Sequence, residues 1–197
     1  MKNKLSLLLI MPLLFFGCTS GKKISYEQFI KVSPTDSLLA VPVSVKNQLY
    51  NFISQQNQTI NHGGGCHFLL TNVDKKLSDN TSRWFAAQMQ KDIYRIDLSA
   101  LVSKYIGETE KNLDKVFSTV ENKNWILFFD EADALFGKRT EVEDAHGKYA
   151  NEEIAYLLHR IEKFKGIVLL PCISDSCLLR EEQKKFIQIA ALLTTLK

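Results

Sequence analysis

The stretch "WILFFDEADALFGKR", Trp125–Arg139, decides the fold. An apolar run from Trp125 to Phe129 has no polar break and ends on two carboxylates, Asp130 and Glu131. Such a run marks a strand buried on both faces, and strands of that kind belong to parallel sheets covered by helices. In open α/β sheets, sites lie beyond the carboxyl ends of the strands. Asp130 stands at such an end. One carboxylate there can hold magnesium, directly or through water, and the next can orient or deprotonate an attacking water. Alone, the pair would read as a solvated acidic turn. The apolar run before it and "ADALFGKR" after it favour a site.

Outward from this strand, short apolar runs alternate with amphipathic segments. "CHFLLT" (Cys66–Thr71), "DIYRIDL" (Asp92–Leu98) and "GIVLLP" (Gly166–Pro171) read as further strands. "SRWFAAQMQ" (Ser82–Gln90), "ETEKNLDKVFSTVEN" (Glu108–Asn122) and "NEEIAYLLHRIEKF" (Asn151–Phe164) read as helices. Leu113, Val116, Phe117 and Val120 share one face of the second, and Ile154, Leu157, Leu158, Ile161 and Phe164 one face of the third. The expected fold is α/β, a parallel sheet with helices on both faces. "VSVKNQLYNFISQQN" (Val43–Asn57) adds a helix, and "QTINHGGG" after it reads as a loop. The tail "KKFIQIAALLTTLK" fits a fifth strand or an amphipathic helix.

Composition sets bounds. The 197 residues suffice for one domain with a real core. A net charge of +3, with basic and acidic residues interspersed, gives no argument for nucleic acid. Three parts are expected: an export signal over 1–18, a polar tether with Pro34 and Pro42 over 19–43, and a folded domain over 44–197. In the first part Lys2 and Lys4 precede an apolar run, Leu5–Phe16, too short to cross a bilayer comfortably. The alternative there is a buried N-terminal helix.

"FFDEADALFGKR" resembles the Walker B segment of AAA+ ATPases. The letters "DEAD" also suggest an RNA helicase, but the other helicase motifs are absent. The AAA+ resemblance extends through "YRIDLSALVSKYIGETEKNLDKVF" (Tyr94–Phe117) and "KYANEEIAYLLHRIEKFKGIVLL" (Lys148–Leu170). It implies a P-loop NTPase-like fold, ATP and Mg2+ as cofactors, hexameric rings, and Asp130 and Glu131 as the catalytic pair, with Asp130 on the metal. It further implies that Tyr105, Ile106 and Gly107 form a loop facing a central pore that grips a protein strand. The family's helical lid domain should follow the core; the sequence stops at Lys197, and the lid is expected to be absent.

The partner of Walker B is a phosphate loop. In this chain its slot is "TNVDKKLSDNTSR" (Thr71–Arg83), which contains no glycine to let successive N–H groups close on phosphates. Aligned without gaps, the lysine slot falls on Ser78 and the Ser/Thr slot on Asp79, while Lys75 and Lys76 are out of phase. Asp74 and Asp79 bring negative charge. Two like charges about 4 Å apart, at an effective dielectric near 20, cost about 4 kcal/mol. "GGG" at Gly63–Gly65 precedes its strand and is not closed by a lysine. The family's water-orienting Asn corresponds to Ile173, and its paired arginine fingers to Lys184 and Lys185. The expectation is therefore a pseudo-ATPase serving as a binding or scaffold module. The alternatives are an ATPase that still holds nucleotide through Asp130 and nearby lysines, and a decayed relative under little functional demand.

The stretch "LFFGCTS" resembles a bacterial lipoprotein cleavage box, which implies lipidation of Cys18 and a place in the cell envelope, at the outer membrane or periplasmic side; the alternative is cytoplasmic. Cys66, Cys172 and Cys177 give no disulfide framework and read as buried thiols. His62, Cys66 and His67 match no standard zinc spacing, and Cys172 and Cys177 should lie toward the opposite end of the sheet. His159 reads as a helix-surface residue. The protein partner is not named by the sequence.

Overall fold

The computed structural model describes residues 25–61, 65–102, 105, 107–136, 145–173, 181, 184 and 186–190. Strands β2 (Cys66–Thr71), β3 (Asp92–Asp97), β4 (Trp125–Asp130), β5 (Ile167–Pro171) and β6 (Ile187–Ala190) are parallel, and β1 (Glu27–Ile30) joins antiparallel to β3. The sheet order is β1-β3-β4-β5-β2-β6. The α/β class read from the apolar runs is what the chain forms, and of the tail the stretch Ile187–Ala190 is a strand.

Alternation sorts the strand residues into two cores. Leu69, Tyr94, Ile96, Leu127, Phe129, Val168 and Leu170 pack with α4 (Glu108–Val120) and α6 (Ala145–Lys163). Phe68, Leu70, Ile93, Ile126, Phe128, Ile167 and Leu169 pack with α1 (Val43–Asn61) and α2 (Lys75–Met89). Successive side chains point to opposite faces, so two covered faces require nearly unbroken apolar strands. Phe68 anchors the second core, meeting Phe52 and Phe85 edge to face at 4.6 and 5.3 Å.

Several boundaries differ from the sequence reading: α1 runs on to Asn61, into the expected loop, and α6 begins at Ala145, ahead of the expected Asn151. The segment 19–43, expected as a tether, contains β1 and a 3-10 helix, Pro34–Leu38. Its strand is fixed by Val32 N–H and Lys31 Nζ, which donate to the Asp92 carboxylate at 3.0 and 2.9 Å. Helix α2 begins at Lys75, seven residues ahead of the expected Ser82, because Asp74 caps it. Two short helices, α3 (Leu98–Leu101) and α5 (Asp133–Phe136), follow β3 and β4. Among the described residues no helix is long and apolar enough to cross a membrane. Cys18, His62, Ile106, Cys177 and Lys185 lie outside the described residues.

The expected buried thiols divide. Cys66 is a buried free thiol whose pKa is pushed up by burial. Cys172, in contrast, is disulfide-bonded. At the amino end of β2, His67 Nε2–H donates to the Phe164 carbonyl at 2.9 Å, which fixes the tautomer because a carbonyl only accepts. Burial holds the imidazole below its usual 6.5, against the smaller opposing effects of that carbonyl and of Glu162. The unfolded chain then binds more protons than the folded one just below pH 6.5, so stability falls as pH drops through that value toward the lowered one. His67→Gln keeps an N–H donor without titrating. Its melting temperature should fall less between pH 7 and pH 5 than that of the unmodified chain, as read by circular dichroism; an unchanged slope would remove His67 from the acid response.

Candidate nucleotide-type site

The carboxyl ends of β2, β4 and β5 meet in a small cavity of about 50 Å3, lined by Val73, Asp74, Lys75, Ser78, Asp130, Glu131, Asp133, Pro171, Cys172 and Ile173. A larger concavity, about 790 Å3, lies at the other end of the sheet between the last turns of α4 and α6. Its lining includes His159, which is exposed as expected, and Arg160 and Lys163, whose charges complement the C-terminal end of α6. None of the candidate catalytic residues faces it. The smaller cavity is the one with the expected chemistry.

Its floor is built by strand phase. Asp130 continues the Ile126 and Phe128 face of β4, and Arg95 continues the Ile93 face of β3, so both turn toward α2. Asp130 is 7% exposed. Arg95 Nε donates to Asp130 Oδ2 at 3.1 Å, and its Nη2 reaches the same oxygen. Arg95 Nη1 extends on to Asp79 Oδ1 at 3.4 Å. Asp79 Oδ2 accepts from Arg83 Nε at 3.2 Å, and Arg83 Nη1 lies 3.7 Å from Asp36 of the 3-10 helix. The guanidinium of Arg95 also lies over the Phe128 ring, 5.6 Å from its centre.

Glu131 leaves the strand with a left-handed φ of +54°, a conformation uncommon for a residue of this kind. Its carboxylate accepts from Lys75 Nζ at 2.5 Å, and that amino group is 4.0 Å from Asp130. The hydrogen bond to Glu131, and then the charges of Asp130 and Glu131, raise the Lys75 pKa. Lys75 thus joins the two carboxylates, although its sequence phase differs from the family's lysine. Lys76 is exposed and makes no contact with them.

The connection from β2 to α2 is three residues long, Asn72–Asp74. Asn72 takes a left-handed φ of +57°, and Asp74 caps the helix by accepting from Leu77 N–H at 2.7 Å. Ser78, which falls on the aligned lysine slot, is 3% exposed in the first turn, its hydroxyl without a hydrogen-bond partner. Asp79, on the Ser/Thr slot, is held by Arg83 and Arg95 as described. Ile173 is 69% exposed beside the cavity, and its N–H points at Asp133 Oδ2 from 3.5 Å. Lys184 pairs with Glu181 at 2.8 Å. Tyr105 is 73% exposed, and Gly107, at φ +77°, makes the turn that starts α4. Among the described residues no three His, Cys, Asp or Glu side chains converge as a metal-binding group.

Residues 80–191, more than half of the chain, match the family described as "ATPase family associated with various cellular activities (AAA)". The chain belongs to the AAA family. It is 33% identical over 99 residues to vacuolar protein sorting-associated protein 4B of Mus musculus, covering 47% of this chain and 22% of that one. It is 43% identical over 60 residues to the ATPase family gene 2 protein of Schizosaccharomyces pombe, covering 30% and 7%. The AAA domain of FIGL-1, solved in complex with ADP, superposes with a TM-score of 0.60 at 18% identity, over 85% of this chain and 59% of that one. The match in structure establishes the shared α/β fold. The chain spans between 7% and 22% of the length of these curated relatives. The family resemblance suggests nucleotide and Mg2+ use.

Arg95 was passed over in the sequence reading. Its signal was present: a charged residue on the inward phase of a strand buried on both faces. If Asp130 is chiefly a partner for Arg95, Asp130→Asn should destabilise the fold. Breaking a buried pair costs about 3–5 kcal/mol; with Asp79 still on Arg95, about 2 kcal/mol is expected, as a lowered urea midpoint. An unchanged midpoint would mean the pair contributes nothing to folding. Removing the cap with Asp74→Ala should cost about 1 kcal/mol by the same measurement.

Proposed function

We propose that this AAA-family chain is a pseudo-ATPase, a binding or scaffold module in which the phosphate-gripping half of the site is lost. The three-residue connection Asn72–Asp74 carries this reading. A loop of the form G-x-x-x-x-G-K-[ST] wraps phosphates with its own N–H groups and presents a helix N-terminus to them. Here there is no glycine in the connection, and the N–H of Leu77 is bonded to the chain's own carboxylate, Asp74. The cavity of about 50 Å3 has room for a few waters, against roughly 300–1,000 Å3 for pockets that enclose small ligands. The residues present therefore do not fit ATP with Mg2+, and no hydrolytic step is derived for them. The apolar Ile173 at the water-orienting slot and the Lys184–Glu181 pair at the arginine-finger slot agree with that reading. On the same reading rings are weak or absent, and a protein partner is met by exposed side chains such as Tyr105.

The test is fluorescent ATP-analogue binding to the purified chain in the presence of magnesium. No saturable binding at micromolar concentrations is expected. Micromolar binding that disappears in a folded Asp130→Asn variant would overturn this reading in favour of the alternative, an ATPase that still holds nucleotide through Asp130.

We also propose that the chain is exported and lipid-anchored through Cys18. The disulfide at Cys172 supports export, since disulfides persist in oxidising compartments and are rare in the cytosol. Cells fed a clickable fatty acid should label the chain, and Cys18→Ala should abolish the label. A label that survives this substitution would remove the anchor.

A further inference from the structure

We propose that Arg95 and Lys75 are a built-in substitute for the divalent cation, so that Asp130 and Glu131 hold the fold together instead of a metal. The inference rests on reading these carboxylates as the place where relatives use magnesium. It goes further by naming what now neutralises them and where that charge is anchored.

Three observations converge. Arg95 donates through two nitrogens to one oxygen of Asp130, the 7%-exposed carboxylate that a metal would have to reach. Lys75 takes Glu131 at 2.5 Å and stands 4.0 Å from Asp130. Together the two side chains bring the two positive charges that a magnesium ion would carry. Finally, the guanidinium is not free to swing away. It lies over the Phe128 ring and is held from the far side by Asp79, which is itself paired with Arg83.

The pairs form a chain of alternating charge: Asp36, Arg83, Asp79, Arg95, Asp130, Lys75, Glu131. It runs from the 3-10 helix of the N-terminal segment, through α2 and β3, to the end of β4. A divalent cation entering at Asp130 would have to compete with a fixed planar donor that already occupies Oδ2 of the carboxylate through two nitrogens. The surface around the cavity is on this account held in one state, with no bound ion required.

The experiment is a Mn2+ titration of the purified full-length chain followed by electron paramagnetic resonance, with Mn2+ alone and no nucleotide. The unmodified chain should show no Asp130-dependent site up to millimolar Mn2+. Arg95→Met, folded by circular dichroism, should gain a site at least about tenfold tighter, lost again when Asp130→Asn is added. Arg95→Lys keeps the positive charge and should stay metal-free. A Mn2+ site in the unmodified chain that Asp130→Asn removes would overturn the proposal, as would a folded Arg95→Met that gains none. Should Arg95→Met fail to fold, the unmodified chain decides: absence of the site supports the substitute, and its presence overturns it. Nucleotide binding without a Mn2+ site would sink the pseudo-ATPase reading and leave this inference standing.

Discussion

A carboxylate withdrawn from water at the end of a buried strand has to meet positive charge, and in this chain it meets Arg95. The penalty for burying an unpaired ion is several kcal/mol, a large part of the stability of a small domain. Strand order meets that demand. β3 lies directly beside β4, with Asp97 opposite Asp130 and Arg95 two positions earlier on the same face. The arginine therefore needs no loop to deliver it. Its second end then requires an anion, which α2 supplies as Asp79. The seat of α2 on the sheet and the neutrality of Asp130 are thus two aspects of one constraint.

That seat explains the short connection before α2. A glycine-rich loop holds its amides open for a ligand only while the helix starts late. In this chain Asp74 offers a cap early, and Lys75, Lys76 and Leu77 are acceptable in a helix, so the helix winds back to Lys75. The same move swings Lys75 to the edge of the cavity, where Glu131 receives it. A capping residue, an extra turn of helix and an ion pair then support one another, and each depends on the absence of glycine between Thr71 and Asp79.

How much of this was legible depends on what kind of signal carried each part. β2, β3, β4 and β5 announced themselves, because burial on two faces leaves little but apolar residues in them. β1 did not. It is a four-residue edge strand, largely exposed, held by the backbone of β3 and by Asp92, and its residues look like those of a polar tether. The start of α2 was hidden in a single cap, Asp74, which charge counting treated only as repulsion. Asp130 and Glu131 were visible as a pair. Their partners were not, since Arg95 and Lys75 lie 35 and 56 residues away and are brought in by sheet order and helix phase.

The same network bears on what a surviving acidic pair means. Removing one member of a buried ion pair leaves the other uncompensated, and that step is more destabilising than replacing both by apolar residues of similar volume. A chain that no longer needed Asp130 for a reaction would therefore still lose stability by any single change at Asp130 or Arg95. Glu131 is less constrained, being partly exposed, yet it closes the hydrogen bond that holds Lys75 over the cavity. The presence of Asp130 is accounted for by folding alone once Arg95 is in place. In such a site the acids are poor witnesses to catalysis. The better witness is the connection Asn72–Asp74, which has no glycine and whose Asp74 cap occupies the Leu77 N–H.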